Sequence, residues 1–547
     1  MLYFQRVGFL PAISIGAAAL ILLPILAVVA SVFGGAGGSA GDTWTHLART
    51  TLGNYVLNTA LLVAGVAAGV ISIGVLSAWL VTAYRFPGQR VLEWALVLPL
   101  AMPAYVMAYA YTDWLQFTGP VQTALRAATG WQGREYWFPE IRSLGGAALL
   151  LSFAFYPYVY LLARTAFLDV SRSALEAGRL AGLSAWGSFW RVALPIARPA
   201  IAAGAALALM ETLADFGTVS YFALEVFTTG IFKAWMSMGD PAAAAQLSVC
   251  LLVFVAVVLA LERASRGRAA YAAAMGKASH AQRLSGWHAA LAFAACALPV
   301  LIGFLLPGAL LLHLAWSDPG ARGSARLAAL IGNSFILAGI AAVAGVLLAT
   351  AMAYAARSSR GRLVALANRA AALGYAIPGA VIAVGVLVPL GRLDNWIAGG
   401  IEAAFGTKPG LLLTGTIVAL VYAYLVRFLA VALQTVEAGL AKVTPRMDDA
   451  ARSLGATPTA TLARVHAPLL ASSLAGAALL LFVDVMKELP ATFALRPFNF
   501  DTLAIEAYNL ARDERLSEAA VPSLVIVAIG LVPVLVVVKR YFQATRS

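Results

Sequence analysis

The chain is poor in charge, in cysteine and in histidine. Of its 547 residues only 12% are charged, two are cysteine and five are histidine, while 61% are hydrophobic. Soluble domains are about a quarter charged, so this chain does not dissolve as one or several globular domains. Disorder is excluded too, because it needs low hydrophobicity and high charge. Cys250 and Cys296 lie inside apolar runs with no metal-ligand or redox spacing, and the histidines do not cluster. A phosphate-binding G-x-x-x-x-G-K-[ST] loop is missing: Gly276-Lys277 lacks both the upstream glycine and the Ser/Thr. If ATP is used, another chain binds it. No Ser-His-Asp or Cys-His arrangement, glycosidase carboxylate pair or zinc motif is present, so no catalytic site and no tightly bound metal is expected.

What is abundant is apolar sequence in runs of about 20 residues, the length that crosses a bilayer as helix. Twelve spans are expected, at roughly 9–32, 55–83, 91–112, 144–168, 198–222, 243–261, 288–314, 329–355, 364–390, 410–434, 468–492 and 519–538. The first is too long for the apolar core of a signal peptide and is expected to remain as a helix. The net charge of +13 would suggest nucleic acid in a soluble protein. In a membrane protein it reflects basic cytoplasmic loops instead, and no nucleic-acid partner is expected. With both termini in the cytoplasm, the 38 Lys and Arg divide into roughly 25 inside and 13 outside. The 25 Asp and Glu divide into about 7 inside and 18 outside, an acidic outer face that suits a cationic substrate or a basic partner.

Residues 176–235 superpose on 449–508 with a constant offset and no gap. The match pairs Arg179 with Arg452, Gly182 with Gly455, Arg191 with Arg464 and Pro195 with Pro468. It continues through Glu211 with Asp484, Asp215 with Glu488, Phe227 with Phe500 and Thr229 with Thr502. Asn58 has its counterpart in Asn333. The chain therefore reads as two homologous halves of six spans, 1–265 and 288–547, joined by a basic cytoplasmic linker, 266–287. Six spans per half keep both halves in one orientation, a parallel repeat about an axis normal to the membrane.

The most informative repeated segments are the cytoplasmic loops 176–195 and 449–468. The first reads Glu176-Ala177-Gly178, three residues, Gly182, nine residues, Val192-Ala193-Leu194-Pro195. The second reads Asp449-Ala450-Ala451, three residues, Gly455, nine residues, Val465-His466-Ala467-Pro468. A short helix is expected to stop at Gly182 or Gly455 in the left-handed conformation. Ser184 or Thr457-Pro458 would start a second helix, and Pro195 or Pro468 would end it where the next span begins.

This pattern resembles the EAA loop (E-A-A, three residues, G, nine residues, I-x-L-P) of the permeases of binding-protein-dependent ABC importers. Gly178 stands for the third Ala, Val192 for Ile, Asp449 for Glu and Ala467 for Leu. The resemblance implies a type I ABC importer permease fold in fused two-half form, with twelve transmembrane helices. It implies that Glu176, Ala177, Gly178, Gly182, Pro195, Asp449, Ala450, Ala451, Gly455 and Pro468 dock on a cytoplasmic ATPase dimer, which holds the ATP and Mg. Transport would proceed by alternating access in the bacterial inner membrane.

Beyond each loop lie two carboxylates four residues apart: Glu211 and Asp215, then Asp484 and Glu488. On a helix each pair would share a face. Glu211 would lie roughly 20 Å along its span, deep enough that a charge needs a partner or a watery cavity. These four are the expected translocation path and a transient cation site, with Lys487 as an alternative neutraliser of Glu488 or a neighbour. Glu211–Ser220, Phe227–Ile231, Met486–Thr492 and Leu495–Ala504 resemble the ferric-iron permeases among these importers. That implies a periplasmic iron-binding protein as donor. Thiamine, polyamine, phosphonate and sulfate permeases share the scaffold, and an anion would sit badly with four intramembrane carboxylates where thiamine or a polyamine would not; a gradient-driven secondary transporter is the rival that lacks any use for the doubled loop. Tyr105, Tyr109 and Tyr111 could offer phenolate oxygens to a metal, but they are expected, with Trp131, Trp137 and Trp235, as interfacial anchors, and His466 as a surface contact. Pro99, Pro103, Pro378 and Pro389 are expected as bends within spans three and nine.

Overall fold

The computed structural model describes residues 9–34, 39–133, 135–169, 180, 182–266, 282–317, 325–358, 361–407 and 409–544. Among them eleven helices are long and apolar enough to cross a membrane. They are α1 (Phe9–Gly34), α2 (Leu52–Ala83), α3 (Leu144–Asp169), α4 (Leu194–Ala214) and α5 (Pro241–Arg266). Then come α6 (Gly286–Ser317), α7 (Ala325–Ser358), α8 (Gly379–Phe405), α9 (Ile417–Leu440), α10 (Ala467–Met486) and α11 (Leu516–Ala544).

The third expected span is not one helix. Helix Gln89–Ala95, a 3-10 turn Leu98–Ala101 and helix Ala104–Leu115 follow one another. The direction changes by 93° between segments Gln89–Ala101 and Ala104–Thr129. The ninth expected span breaks in the same way, into helix Arg362–Ala372, a 3-10 turn Leu373–Ala376 and α8. The cause is proline, which pushes the residue before it out of helical geometry. Met102 and Ile377 are extended, and Pro103 and Pro378 cap the next helix with matching angles (φ −59°, ψ 138° and φ −58°, ψ 140°). Pro389 lies inside α8 without ending it.

The packing divides the chain differently from its repeat. One compact unit comprises Met1–Thr45, Ile231–Val249 and Ala325–Glu506; the other comprises His46–Gly230, Cys250–Ser324 and Ala507–Ser547. In the first unit α1, which belongs to the first half by sequence, packs on α7, α8 and helix Arg362–Ala372. Two features fix it there. A Cβ at Gly385 would stand 2.4 Å from the Pro24 carbonyl oxygen, so only glycine admits this approach. Pro24 has no N–H to offer the carbonyl of Leu20, and the Tyr422 hydroxyl donates to that oxygen instead, at 2.5 Å. Helices α7, α9 and α10 complete the unit.

In the second unit α2, α3 and α4 pack together. Small residues set their spacing: a Cβ at Gly74 would meet Val159 at 2.7 Å, and one at Gly204 the same residue's Cα at 2.7 Å. Helix α6 packs on α11 and on Ala104–Leu115. Tyr111 donates to the Ile302 carbonyl at 2.6 Å. That carbonyl lies in a π turn, Leu301–Leu305, and the residue five positions on is Pro307, which has no N–H to give it. Residues 267–281 of the linker lie outside the described residues, and its end, Gln282–Arg283, pairs in parallel with Tyr84–Arg85.

Candidate functional site

Glu176, Ala177 and Gly178 of the first loop lie outside the described residues. From Gly182 onward the first loop matches the second. Gly182 and Gly455 both have positive φ, +80° and +78°. At Gly455 the stop is complete: Ala456 N–H donates to the Ala451 carbonyl at 3.0 Å and Gly455 N–H to that of Arg452 at 2.9 Å. Asp449 and Ala450 are exposed on helix Pro445–Ser453, while Ala451 is buried. Asp449 pairs with Arg452. Ser184 and Thr457 act as N-caps, accepting from the N–H groups of Gly187 at 3.0 Å and Ala460 at 3.2 Å.

Pro195 and Pro468 do not end the helix that follows. In each half the chain passes through a π turn, Phe189–Ala193 or Leu462–His466, and runs on into the long helix with the proline in its first turn. The wider turn accommodates a residue with no N–H. Each loop is thus joined to a long helix through a continuous helical backbone.

His466 is not a surface residue. It is 1% exposed, with Nδ1 2.9 Å from the Tyr354 hydroxyl and Nε2 2.6 Å from Asp448. Arg357 donates to Asp448 at 2.8 Å and to the carbonyls of Leu440 and Val443 at 3.2 and 2.8 Å. Burial opposes ionisation of Asp448, but the hydrogen bonds from Arg357 and His466 outweigh it and hold the carboxyl below its ordinary range. This network ties the second loop helix to α7 and to the start of α10. By the repeat, Tyr354 corresponds to Trp79, which packs instead on Phe167 and Phe189 at 5.3 and 5.0 Å between ring centres.

The carboxylate pairs do not share a helix face, because α4 ends at Ala214 and α10 at Met486. Asp215 and Glu488 stand in the breaks and cap the short helices that follow. Asp215 accepts from Thr218 N–H, the Thr218 hydroxyl and Val219 N–H, each at 3.1 Å. Glu488 accepts from Ala491 N–H at 2.9 Å, Thr492 N–H at 2.9 Å and the Thr492 hydroxyl at 2.6 Å.

Their charges are handled differently. Glu488 is buried and takes a hydrogen bond from buried Arg427 at 3.1 Å. Lys487 pairs with Asp484 at 3.0 Å. Among the described residues no Lys, Arg or His pairs with Asp215. Glu211 is half-buried near the end of α4.

After these breaks the gapless superposition fails. Asn58 donates to the Glu225 carbonyl at 2.9 Å and Asn333 to that of Asp501 at 3.1 Å. The neighbouring hydroxyls, Thr59 and Ser334, accept from Phe227 N–H and Leu503 N–H. Phe227 therefore corresponds to Leu503, not Phe500, and Thr502 to Val226, not to Thr229. The second half holds three more residues in this loop, which an alignment on side-chain identity alone bridged falsely.

Tyr105, Tyr109 and Tyr111 are 5%, 2% and 5% exposed. They are interior residues of the bent segment, not interfacial anchors. Trp131 and Trp137 are exposed and Trp235 half-buried. Arg427 went unread in the sequence, although a lone arginine inside an apolar run is itself a signal. So did Asp394, 1% exposed, which accepts from the N–H groups of Leu412, Leu413 and Thr414 and shapes the turn before α9. Among the described residues no group of three or more His, Cys, Asp or Glu is placed to hold a metal ion.

A family model described as "Binding-protein-dependent transport system inner membrane component" matches residues 70–271. The Fe(3+)-transport system permease protein FbpB 2 of Haemophilus influenzae is 26% identical over 503 residues, 91% of this chain and 92% of the relative. The sulfate transport system permease protein CysT of Escherichia coli is 30% identical over 187 residues, 32% of this chain and 64% of the relative. The molybdenum transport system permease protein ModB of the same species is 27% identical over 206 residues, 36% of this chain and 87% of the relative.

Proposed function

We propose, for a chain that belongs to the family of binding-protein-dependent inner membrane transport components, that its substrate is ferric iron. The chain is the permease subunit of an ABC importer, of type I fold, and is not itself an enzyme; ATP is hydrolysed by a separate subunit. That assignment sets aside the gradient-driven rival. The observation that carries the iron reading is the length of the likeness to the ferric permease, 91% of this chain, against about a third for the sulfate and molybdenum permeases.

In this reading an iron-loaded periplasmic binding protein docks outside, and both termini lie in the cytoplasm. Glu176, Ala177, Gly178, Gly182 and Pro195 seat one ATPase subunit; Asp449, Ala450, Ala451, Gly455 and Pro468 seat the other. ATP and Mg bind between those subunits, and their closure moves the loops. Because the second helix of each loop, from Ala185 or Pro458, runs without a break into α4 or α10, a displacement of that helix is carried to the carboxylate break at the far end. Glu211, Asp215, Asp484 and Glu488 lie along the path, with Glu488 held by Arg427 as a fixed cap.

Uptake of radioactive ferric iron by cells expressing the transporter, with sulfate and molybdate measured in parallel, tests the reading. ATP-dependent iron uptake without uptake of either oxyanion is the expected result. Accumulation of sulfate or molybdate and not iron overturns it.

A further inference from the structure

The bent segment Ala104–Leu115 brings an oxygen-rich cluster to Asp215. Tyr109 packs on Tyr105 and Tyr221 at 5.8 and 4.8 Å between ring centres. Phe216, next to Asp215, packs on Tyr508 at 5.7 Å, and the Tyr508 hydroxyl is 2.8 Å from that of Ser220. The Tyr109 phenol lies within electrostatic reach of Tyr105, Tyr221, Tyr508 and Asp215. It is 2% exposed, and its hydroxyl has no hydrogen-bond partner. Buried hydroxyls are nearly always satisfied, so this one calls for a reason. The Asp215 carboxylate uses three of about four acceptor positions, all for local capping donors. The nearby Arg142 acts on Tyr221 and Glu514: its guanidinium lies over the Tyr221 ring at 5.0 Å, donates to the Tyr221 hydroxyl at 3.4 Å and stands 3.9 Å from Glu514.

We infer that Asp215 and Tyr109, with Tyr221 and Tyr508 beside them, form a transient site for the ferric ion on its way through. The donors are carboxylate and phenol oxygens, hard ligands suited to a hard, highly charged cation. A phenol that ligates the ion releases its proton to water. An oxyanion at this place meets the Asp215 carboxylate, with which no Lys, Arg or His pairs among the described residues. The second half offers no equivalent, since Arg427 occupies Glu488 and Lys487 occupies Asp484. The site therefore belongs to one half of a duplicated chain. It rests on the iron reading above and adds the residues that touch the ion.

Tyr109→Phe is the telling variant, because it removes only a hydroxyl with no partner and so leaves folding undisturbed. The full complex is purified and titrated with ferric citrate, and the visible charge-transfer band of a ferric phenolate is recorded. A band in the unaltered protein that is lost in Tyr109→Phe is expected. Iron uptake in cells should fall at least about tenfold in Tyr109→Phe and in Asp215→Asn, the size of effect typical of altered metal surroundings. Protein abundance and the co-purifying ATPase should stay unchanged. No band, or a band and an uptake rate indifferent to Tyr109→Phe, overturns the site while leaving the iron importer standing. Absence of iron uptake in the unaltered protein overturns both.

Discussion

Replacing Glu488 with glutamine separates a structural carboxylate from a transport one. The Glu488 side chain is 1% exposed and that of Arg427 10%. Glutamine keeps the volume, but its single acceptor oxygen can serve either Ala491 N–H, on Oε1 in the carboxylate, or Thr492 N–H, on Oε2, and not both; it also leaves the guanidinium buried without its counter-charge. Breaking a buried pair by removing one partner costs about 3–5 kcal/mol. The part of the cap that is kept favours the low end, about 3 kcal/mol. For a unit of roughly 150–250 residues, 1 kcal/mol moves the melting temperature by about 2–4 °C, so Glu488→Gln should lower it by about 6–12 °C. The assay is thermal unfolding of the purified complex in detergent, followed by loss of monodisperse protein. Arg427→Met should be milder, because a carboxylate that keeps three donors and can take up a proton is less exposed to the loss. The double variant should be less destabilised than the sum of the two singles by at least about 1 kcal/mol. Asp215→Asn leaves no cation behind and should shift the transition by less than about 2 °C. Strict additivity of the two singles, or an Asp215→Asn shift as large as that of Glu488→Gln, would refute the reasoning.

Three further outcomes are expected. Gly379→Ala places a Cβ 2.6 Å from Arg427 Nη1 and 2.9 Å from Glu488 Oε1; it should destabilise by about 1–3 kcal/mol, read by the same melting assay, and Glu488→Gln should relieve part of it. Gly455→Ala meets open space at φ +78°, so only backbone strain of about 1–2 kcal/mol opposes it; ATPase affinity for the permease should weaken about 5- to 30-fold, and Gly455→Asn, which tolerates that conformation, should recover most of it. For Asp448 the folded carboxyl titrates below its ordinary value of 3.8, so its contribution is full at neutral pH and lost as pH falls through that lower value. Amide-exchange protection in 445–466, taken relative to the intrinsic rate at each pH, should therefore be flat from pH 8 to about pH 5 and fall only in stronger acid, with Asp448→Asn weakly protected throughout.

Composition and periodicity were enough to establish a helical membrane chain, and the repeat located two loops that each hold a glycine at positive φ. These rest on local physics: apolar length, glycine at a left-handed stop, a capping hydroxyl, proline in a first turn. They are written in consecutive residues, and Gly182, Gly455, Ser184 and Thr457 carry them visibly. The same locality misled where distant partners decide. A helix was expected to continue through Asp215 and Glu488, since no proline or glycine lies between them and the preceding carboxylate. Whether Glu488 is charged, capped and buried depends on Arg427 and Gly379, 61 and 109 residues away in sequence. The tyrosines of 105–111 looked interfacial until the 93° bend turned them inward, and His466 looked exposed until Asp448 and Tyr354 enclosed it. The packing of α1 on α7 and α8, far from it in sequence, is likewise invisible in the repeat. It is decided by the fit of Pro24 to Gly385 and of a freed carbonyl to Tyr422, contacts that exist only once the two segments have met.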